Sequence, residues 1–593
     1  MMNRHTALRR LSQMWLGMLM LAMTAVLLSA CGNSMAASVA GDPGGTATGS
    51  KGDVVNQVDG APQFVDSSGR PTGDVTQAAK DKDGNPLSEI DAGKSREPLA
   101  YELSFMIGQN RVAVNFVWTL VTGFLVMFMQ AGFALVEAGF TRGKNANHTM
   151  MMNFMVYGLG MLGFYICGFA FMFGGIGGLS TLGGGAALAS AGEVTLWLGD
   201  KPFGLFGTNG FFLGGGTYDV AIAVMFLFQM VFMDTAATIP TGAMAERWKW
   251  LGFCIFGFFC STLTYPIFGN WAWGGGWLSQ LGVNFGLGHG YSDFAGSGVV
   301  HMVGGWMALA GALVLGPRIG KINKDGSVNT IPGHNIPMAA LGTFILAFGW
   351  FGFNPGSTLA ASGSGALRIG IVAVDTMLAG AAASLSAMLY MWITKGKPDA
   401  GMMINGILAG LVAITAPSGF VSPISAIIIG LVAGVLVCWA VWFFDNVVKV
   451  DDPVGAISVH GINGAWGVLA VGLFADGTSN YGGAWNAVPG SVTGLLFGDP
   501  GQFVAQVIGL IANFTYVFVV SYAFFKVADM LIGLRVTPEV EIGGLDIPEM
   551  GAYAYPFDWP EVGTMYPHPH AEGEPVTANG ATSPTPAPTM TPA

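Results

Sequence analysis

Two short segments place a histidine at the same distance from an aspartate. One segment runs from Asp293 to His301 and the other from Asp452 to His460, and in each a glycine follows the aspartate after three residues and a valine precedes the histidine. Each segment opens a long apolar run, so we expect each imidazole about two turns inside a hydrophobic helix. An imidazole there can share or pass a proton, and matching segments in two halves predict a repeat around a central site.

The composition indicates a membrane protein. Hydrophobic residues make up 52% of the chain and charged residues only 10%, whereas soluble domains are about 25% charged. The net charge of -11 comes largely from the polar ends of the chain, so it does not indicate a nucleic-acid partner. The five cysteines are scattered without metal or disulfide spacing, and we expect neither a metal nor another cofactor.

Apolar runs long enough to span a bilayer begin near residue 112. They predict an all-α polytopic membrane protein with eleven transmembrane helices, of which the eighth is short. The glycine-rich stretch 174–216 is expected to be a long outer loop. The predicted spans are 112–138, 150–176, 218–243, 250–272, 293–316, 336–354, 366–394, 401–416, 419–444, 454–474 and 503–532.

The N-terminal 37 residues have the pattern of a signal peptide. Arginines precede an apolar run that ends in Leu-Ser-Ala-Cys31, which is similar to a bacterial lipobox. Cys31 would then be lipidated; cleavage after Ala37 with an incidental Cys31 is the alternative. Either reading puts the mature N-terminus outside the cell.

The rest of the chain divides by composition. Residues 38–110 are polar and are expected to form an exported flexible linker. The membrane domain is predicted at 111–535 and a cytoplasmic C-terminal region at 536–560. A disordered tail rich in proline and threonine is expected at 561–593.

Loop charges predict the orientation of the spans. With an external N-terminus, outer loops carry only Lys201 and Arg368. This asymmetry follows the positive-inside rule, puts the C-terminus inside and makes the two Asp-to-His segments run in opposite directions, as in an inverted 5+5 pseudo-repeat. The basic residues predicted for inner loops are Arg142, Lys144, Arg247, Lys249, Arg318, Lys321, Lys324, Lys395, Lys397 and Lys449.

Several long motifs resemble those of the ammonium transporter family (Amt/MEP/Rh), in the same order. The resemblance covers about residues 110–550. It implies a homotrimer of eleven-helix protomers in the inner membrane, each with its own narrow pore, and a C-terminal region that can dock a PII-type signalling protein. The motifs lie at 128–142, 242–247, 293–301, 349–357 and 451–461.

The resemblance also implies roles for residues along the pore. Trp273, Phe232 and Ser357 would recruit the cation at an outer vestibule, and Phe232 and Phe353 would form a gate of two stacked rings. His301 and His460 would line the pore, and Asp293 would stand behind the recruitment site.

The implied activity is uptake of ammonium rather than catalysis. Ammonium would lose a proton in the vestibule and cross as ammonia, with the proton relayed separately, whereas potassium has no proton to lose. Net movement of neutral ammonia is the rival mechanism. A sensor that signals through a non-covalent partner is the alternative function, and the paired Asn-Pro-Ala boxes of water channels are absent. Glu549-Met550 stands near the place where relatives have His-Gly-Glu, which weakens the case for PII docking.

Four acidic residues need an account at membrane depth. We expect Asp293 to cap its helix first and to handle protons second. Asp234 should cap or bridge helices, Glu137 should be a buried structural acid, and the protonation of Asp375 stays open. An ordinary interfacial position is the alternative reading for Trp273, since other tryptophans lie nearby.

Overall fold

The structure is a computed structural model that describes residues 55–58, 61–64, 98–174, 192–214, 220–477 and 485–555. The predicted signal peptide and the tail 561–593 lie outside these residues, as does most of the linker. The chain separates into a compact unit that ends at Ala554 and a second unit, Tyr555–Ala593, of which only Tyr555 is described.

Within the described residues, ten helices are long and apolar enough to cross a membrane. The multi-pass helical architecture is therefore confirmed. The eighth predicted span is the shorter apolar helix Ala400–Thr415. These eleven apolar helices of the described residues are α1 Pro98–Phe140, α2 Gly143–Phe173, α3 Val220–Ala243, α4 Trp250–Trp273, α5 Ser297–Leu315, α6 Ile336–Phe353, α7 Ser364–Lys395, α8 Ala400–Thr415, α9 Pro423–Val448, α10 Ile457–Phe474 and α11 Pro500–Ile532.

Two β-hairpins depart from the all-helical expectation. Strands β1 Val55–Val58 and β2 Ala61–Phe64 pair in the predicted linker, and β3 Glu193–Leu198 pairs with β4 Lys201–Gly207 in the predicted outer loop. In the second hairpin Gly199 adopts a φ of +67°, which a tight turn between antiparallel strands favours. Helix α1 also begins at Pro98, inside the predicted linker, because proline suits the first turn of a helix.

The helices form a bundle with a buried centre and an apolar exterior. In α3 and α5, 89% of the apolar window is buried, against 28% in α11, so α3 and α5 are central. Large apolar side chains are exposed on the outer helices, as expected for a surface that faces lipid. Among the most exposed are Phe154, Phe344, Ile393, Ile424 and Met530.

Small residues set how closely the helices approach. Where α1 crosses α6, a Cβ on Gly132 would lie 2.9 Å from the Gly342 carbonyl oxygen, and a Cβ on Gly342 would lie 2.6 Å from the Gly132 carbonyl oxygen. Neither position has room for a side chain. The high glycine content therefore serves backbone contact between membrane helices.

One end of the bundle holds a buried ion-pair cluster. The Arg318 guanidinium bonds Asp451 at 2.8 and 2.9 Å and lies 3.3 Å from Glu246, which also pairs with Arg142. Burial alone would raise the pKa of Glu246 and of Asp451, but the neighbouring guanidinium groups outweigh it and hold both pKa values below the ordinary range. Basic residues predicted for inner loops thus meet at one end.

The C-terminal segment is bound to the same end of the bundle. Glu541 accepts from the Ile319 backbone N–H at 2.7 Å, and Asp546 accepts from the His148 N–H at 2.9 Å. Glu549 accepts from the N–H of Trp250, the first residue of α4, at 2.8 Å. Three carboxylates thus hold this segment on the ends of the helices.

Candidate functional site

The two histidines of the repeated segments meet at the centre of the bundle. Nδ1 of His301 lies 3.1 Å from Nδ1 of His460, and the rings are stacked with centroids 5.2 Å apart. Both side chains are buried. In a bond between two ring nitrogens one must donate and the other accept, so the pair shares a single proton across this contact.

The backbone around the two histidines is built in the same way. The Asp293 carboxylate accepts from the N–H groups of Gly296, Gly298 and Val299 at 2.7–2.9 Å. Both helices then begin with a π-helical turn that contains the histidine, Ser297–Met302 and Ile457–Ile462. Asp293 thus caps the first turn through its carboxylate, as expected, although the N-cap position itself is Gly296, three residues on.

Asp452 holds the second segment with the same offsets. Its carboxylate accepts from Gly455 N–H at 2.9 Å and from Ile457 N–H at 2.7 Å, three and five residues on. Gly296 and Gly455 adopt φ values of +116° and +81°, a left-handed conformation that favours glycine. Each aspartate thereby fixes the start of the helix that carries a histidine.

The glycine twelve residues after each aspartate lies where α5 crosses α10. A Cβ on Gly305 would lie 2.2 Å from the Gly461 nitrogen, and a Cβ on Gly464 would lie 2.6 Å from the Ser297 carbonyl oxygen. Glycine at both positions lets the backbones approach until the imidazole rings touch.

Phenylalanine rings continue the line from the histidines. Phe353 stacks on His301 with centroids 5.4 Å apart and on Phe232 at 4.1 Å. Phe232 in turn lies 6.1 Å from Trp273, edge to face. The aromatic residues predicted for the outer mouth and the gate therefore form one continuous row that ends at the histidine pair.

Trp273 is held apart from the other tryptophans around it. Its indole N–H donates to the Asp293 carbonyl oxygen at 2.6 Å. The Trp271 indole N–H donates instead to the Leu205 carbonyl oxygen, and the Trp277 ring stacks on the Phe203 ring. Leu205 and Phe203 both belong to strand β4 of the hairpin. Trp273 is thus held against the start of α5 and beside Phe232 rather than against the hairpin, and its vestibule role stays a prediction.

The hairpin also places a half-buried acid close to Trp273 in the chain's fold. Glu193 lies 3.4 Å from the Asn270 amide nitrogen, three residues before Trp273. Burial raises the pKa of Glu193 to about 7. The sequence predicts only a loop over this stretch, so it does not predict an acid beside Asn270.

The remaining predicted residues have simpler surroundings. Ser357 donates its hydroxyl to the Phe353 carbonyl at 2.8 Å, which puts it one turn beyond the gate. Oδ1 of Asp234 and both carboxylate oxygens of Asp375 are buried and have no hydrogen-bond partner among the described residues. Oδ1 of Asp234 therefore makes no hydrogen bond that would cap or bridge helices among the described residues.

Two contacts of the pair were not predicted. Trp350 stacks on His301 with centroids 5.4 Å apart, and the ring of Phe133 lies 6.1 Å from that of His460. Trp350 precedes Phe353 by three residues, so helical spacing alone puts both on one face. Among the described residues no group of histidine, cysteine and acidic side chains could hold a metal ion.

Comparison with known proteins gives a consistent result. The model of the Ammonium Transporter Family matches residues 117–555. The chain is 47% identical to "Ammonium transporter Amt2" of Archaeoglobus fulgidus, over 75% of this chain and 88% of that protein. It is 34% identical to "Ammonium transporter" of Bacillus subtilis, over 73% of this chain and 96% of that protein.

Solved structures of similar proteins share the fold. A "Sensor Amt Protein" superposes with a TM-score of 0.63 at 38% identity, covering 74% of this chain and 99% of that one. Candida albicans Mep2 superposes with a TM-score of 0.61 at 28% identity, covering 76% of this chain and 92% of that one.

Proposed function

Because this chain belongs to the ammonium transporter family, we propose that it recruits ammonium between Trp273, Phe232 and Ser357 and passes ammonia along the buried histidines. The observation that carries the proposal is the unbroken row of rings from Trp273 through Phe232 and Phe353 to His301 and His460.

The aromatic mouth offsets part of the cost of removing water from the cation. A charged group at the centre of a bilayer costs from about 2.5 to above 10 kcal/mol, depending on the reference. A cation over an aromatic face regains about 0.5–2 kcal/mol. The faces of Trp273 and Phe232 therefore assist entry without making a charged passage favourable. The stacked pair Phe232–Phe353 closes the path at this point.

Deprotonation separates ammonium from potassium. Ammonium can leave a proton in the vestibule and continue as a neutral molecule that fits a dry, ring-lined path. The histidine pair offers hydrogen bonds without a fixed charge, because a neutral imidazole both donates and accepts. Asp293 lies directly behind the vestibule, since its carbonyl oxygen binds the Trp273 indole, and is our candidate to handle the released proton.

The proton follows its own route through the pair. His301 and His460 share one proton between their Nδ1 atoms at 3.1 Å, so a proton that arrives on one ring can leave from the other. Transport would then carry net charge inward. Movement of ammonia alone is the competing mechanism.

The wider assembly is part of the proposal. We propose eleven crossings with Ala400–Thr415 as the eighth, an outer N-terminus, an inner C-terminus and a homotrimer in the inner membrane. The matching caps of Asp293 and Asp452, with their matching π-turns, support an inverted 5+5 repeat. The basic cluster at one end of the bundle supports its orientation toward the cytoplasm.

A second candidate is an ammonium sensor. The similar structure named "Sensor Amt Protein" favours it. In this chain the segment after α11 is bound to the ends of α2 and α4 through Asp546 and Glu549, so a non-covalent partner such as a PII-type protein would read that segment. Because the Glu549 carboxylate already accepts a hydrogen bond from the Trp250 N–H, such a partner would have to bind without using that carboxylate oxygen.

Substitution of Trp273 tests the recruitment step. Trp273→Leu should raise the ammonium concentration for half-maximal uptake by about 2- to 30-fold, which corresponds to one cation–π contact. Uptake is followed in proteoliposomes as the ammonium-evoked current, with potassium as the competing cation. Trp277→Leu is the matched control, since Trp277 contacts the hairpin. Equal shifts in both variants, or inhibition by potassium, would contradict the proposal.

A further inference from the structure

A small cavity lies next to His460, away from the phenylalanine gate. Its volume is about 20 Å³, and its lining includes His460, Phe133, Glu137, Asn405 and Val454. A cavity of this size holds about one water or ammonia molecule. Within its lining, His460 and Glu137 are the two titratable side chains.

Glu137 differs from the other buried acids at the ends of the helices. Its Oε2 accepts from the Asn153 amide at 2.7 Å, and the Thr241 hydroxyl lies 2.8 and 3.0 Å from its two oxygens. Asp452 is held by backbone N–H groups and Asp451 by Arg318. No cation pairs with Glu137 among the described residues.

This arrangement leaves Glu137 able to accept more. A carboxylate has about four lone-pair positions, and the three neutral donors, the Asn153 amide, the Thr241 hydroxyl and the Gly242 backbone N–H, do not fill them. Phe133 precedes Glu137 by one helical turn and lies 6.1 Å from the His460 ring. Glu137 therefore lies about 6 Å, the rise of four residues, along α1 from Phe133, whose ring faces that of His460.

The histidine pair itself defines the exit. Both Nδ1 atoms are used in the contact between the rings. When a proton crosses this contact onto His460 Nδ1, the proton that the imidazolium then releases is the one on Nε2, the remaining ring nitrogen. The next titratable group along the cavity is Glu137.

We propose that Glu137 is the proton acceptor at the inner exit of the histidine pair, reached from His460 Nε2 through one water in this cavity. The inference rests on the proposed function. The N–H bond of His460 breaks, the bridging water takes that proton and releases another, and an O–H bond forms on Glu137. The imidazole and the carboxylic acid are then both neutral. Ammonia that leaves the pore removes the proton as ammonium and restores the carboxylate, and no electrons change hands.

Glu137→Gln tests the assignment because it keeps the shape and removes the basic oxygen. In proteoliposomes the ammonium-evoked current should fall by about 100-fold, the scale of a lost acid–base group. Ammonia that enters without its proton makes the lumen alkaline, so Glu137→Gln should show internal alkalinisation in the same vesicles, whereas wild type, which carries both, should show little. Glu137→Asp is the matched variant, since it retains a carboxylate and should retain a measurable current.

The outcomes separate the two levels of the proposal. A wild-type current in Glu137→Gln overturns the role of Glu137. Loss of both current and ammonia uptake in both variants also overturns it, because the carboxyl is then structural. If wild-type protein itself gives alkalinisation without current, the proposed proton route fails and this inference fails with it.

Discussion

Replacement of Arg318 should show how much the buried cluster at the end of the bundle stabilises the protein. The Arg318 side chain is 2% exposed, and those of Asp451 and Glu246 are fully buried. Arg318→Met keeps most of the side-chain volume and removes the guanidinium. The two carboxylates then stay buried without their shared partner.

The size of the effect follows from these contacts. Removing one partner of a buried pair costs about 3–5 kcal/mol, because the remaining charge is uncompensated. Burial of all three groups means that solvent screening does not reduce this figure. Arg142 still pairs with Glu246 after the substitution, so we expect about 3 kcal/mol, the lower end of the range.

The deficit should depend on pH. The pKa values of Glu246 and Asp451 are held low in the folded protein, so their stabilisation is present above the unfolded values and is lost as the pH falls through the folded ones. Without Arg318 the carboxylates protonate more readily. The difference between variant and wild type should therefore shrink as the pH falls from about 7 to about 5.

Unfolding by SDS titration in mixed micelles, followed by tryptophan fluorescence, measures this free energy. Lys324→Met is the matched control, because Lys324 is exposed and a surface change should stay within about 0.5 kcal/mol. A free energy of unfolding for Arg318→Met equal to that of wild type near pH 7 would refute the reasoning. So would a deficit that does not change with pH.

Two further predictions concern the helix crossing and the outer hairpin. Gly305→Ala should lower the free energy of unfolding by about 1–3 kcal/mol and slow ammonium uptake, because the added Cβ meets the backbone of the facing helix. Gly370→Ala is the matched control and should do neither, because the space around Gly370 is open. Equal SDS midpoints for the two variants would count against the crossing. Burial raises the pKa of Glu193 to about 7, so the hairpin should be most stable below the ordinary pKa and loosen as the pH rises through 7. Amide hydrogen exchange over 193–207, corrected for its intrinsic pH dependence, should show this in wild type and not in Glu193→Gln.

Much of the helical fold could be predicted from the sequence, because membrane spans are read from long apolar runs. The start of α5 shows where this reasoning stops. The Asp293-to-His301 spacing predicted a helix that begins at the aspartate, whereas the helix begins at Ser297 with a π-turn. The turn depends on the Asp293 carboxylate binding backbone N–H groups, which is a three-dimensional arrangement.

Part of the candidate site could also be predicted from the sequence. The family resemblance implies that Trp273, Phe232 and Phe353 lie on one path, and the ring contacts agree with that expectation. The surroundings of Glu137 could not be predicted in this way. Its place at the end of an apolar run indicated a buried acid, but the cavity that it shares with His460 arises from packing of α1 against other helices.

The hairpin β3–β4 was missed for a different reason. Glycine-rich flanks indicate a loop over the whole stretch, although the strand segment is rich in β-formers such as Val194, Thr195 and Trp197. The turn signal at Gly199 was present in the sequence. A window limited to the residues between the glycine runs would have indicated two strands.

The central claim is that ammonium crosses as ammonia and a separate proton through the paired histidines. The most direct test is the current across proteoliposomes of purified protein after an ammonium pulse, with a potassium pulse as the control. We predict a transient current for ammonium alone, and its loss when His301→Leu and His460→Leu are combined. Internal alkalinisation that needs the protein, without any current, would contradict the account, and so would an undiminished ammonium current in the double variant.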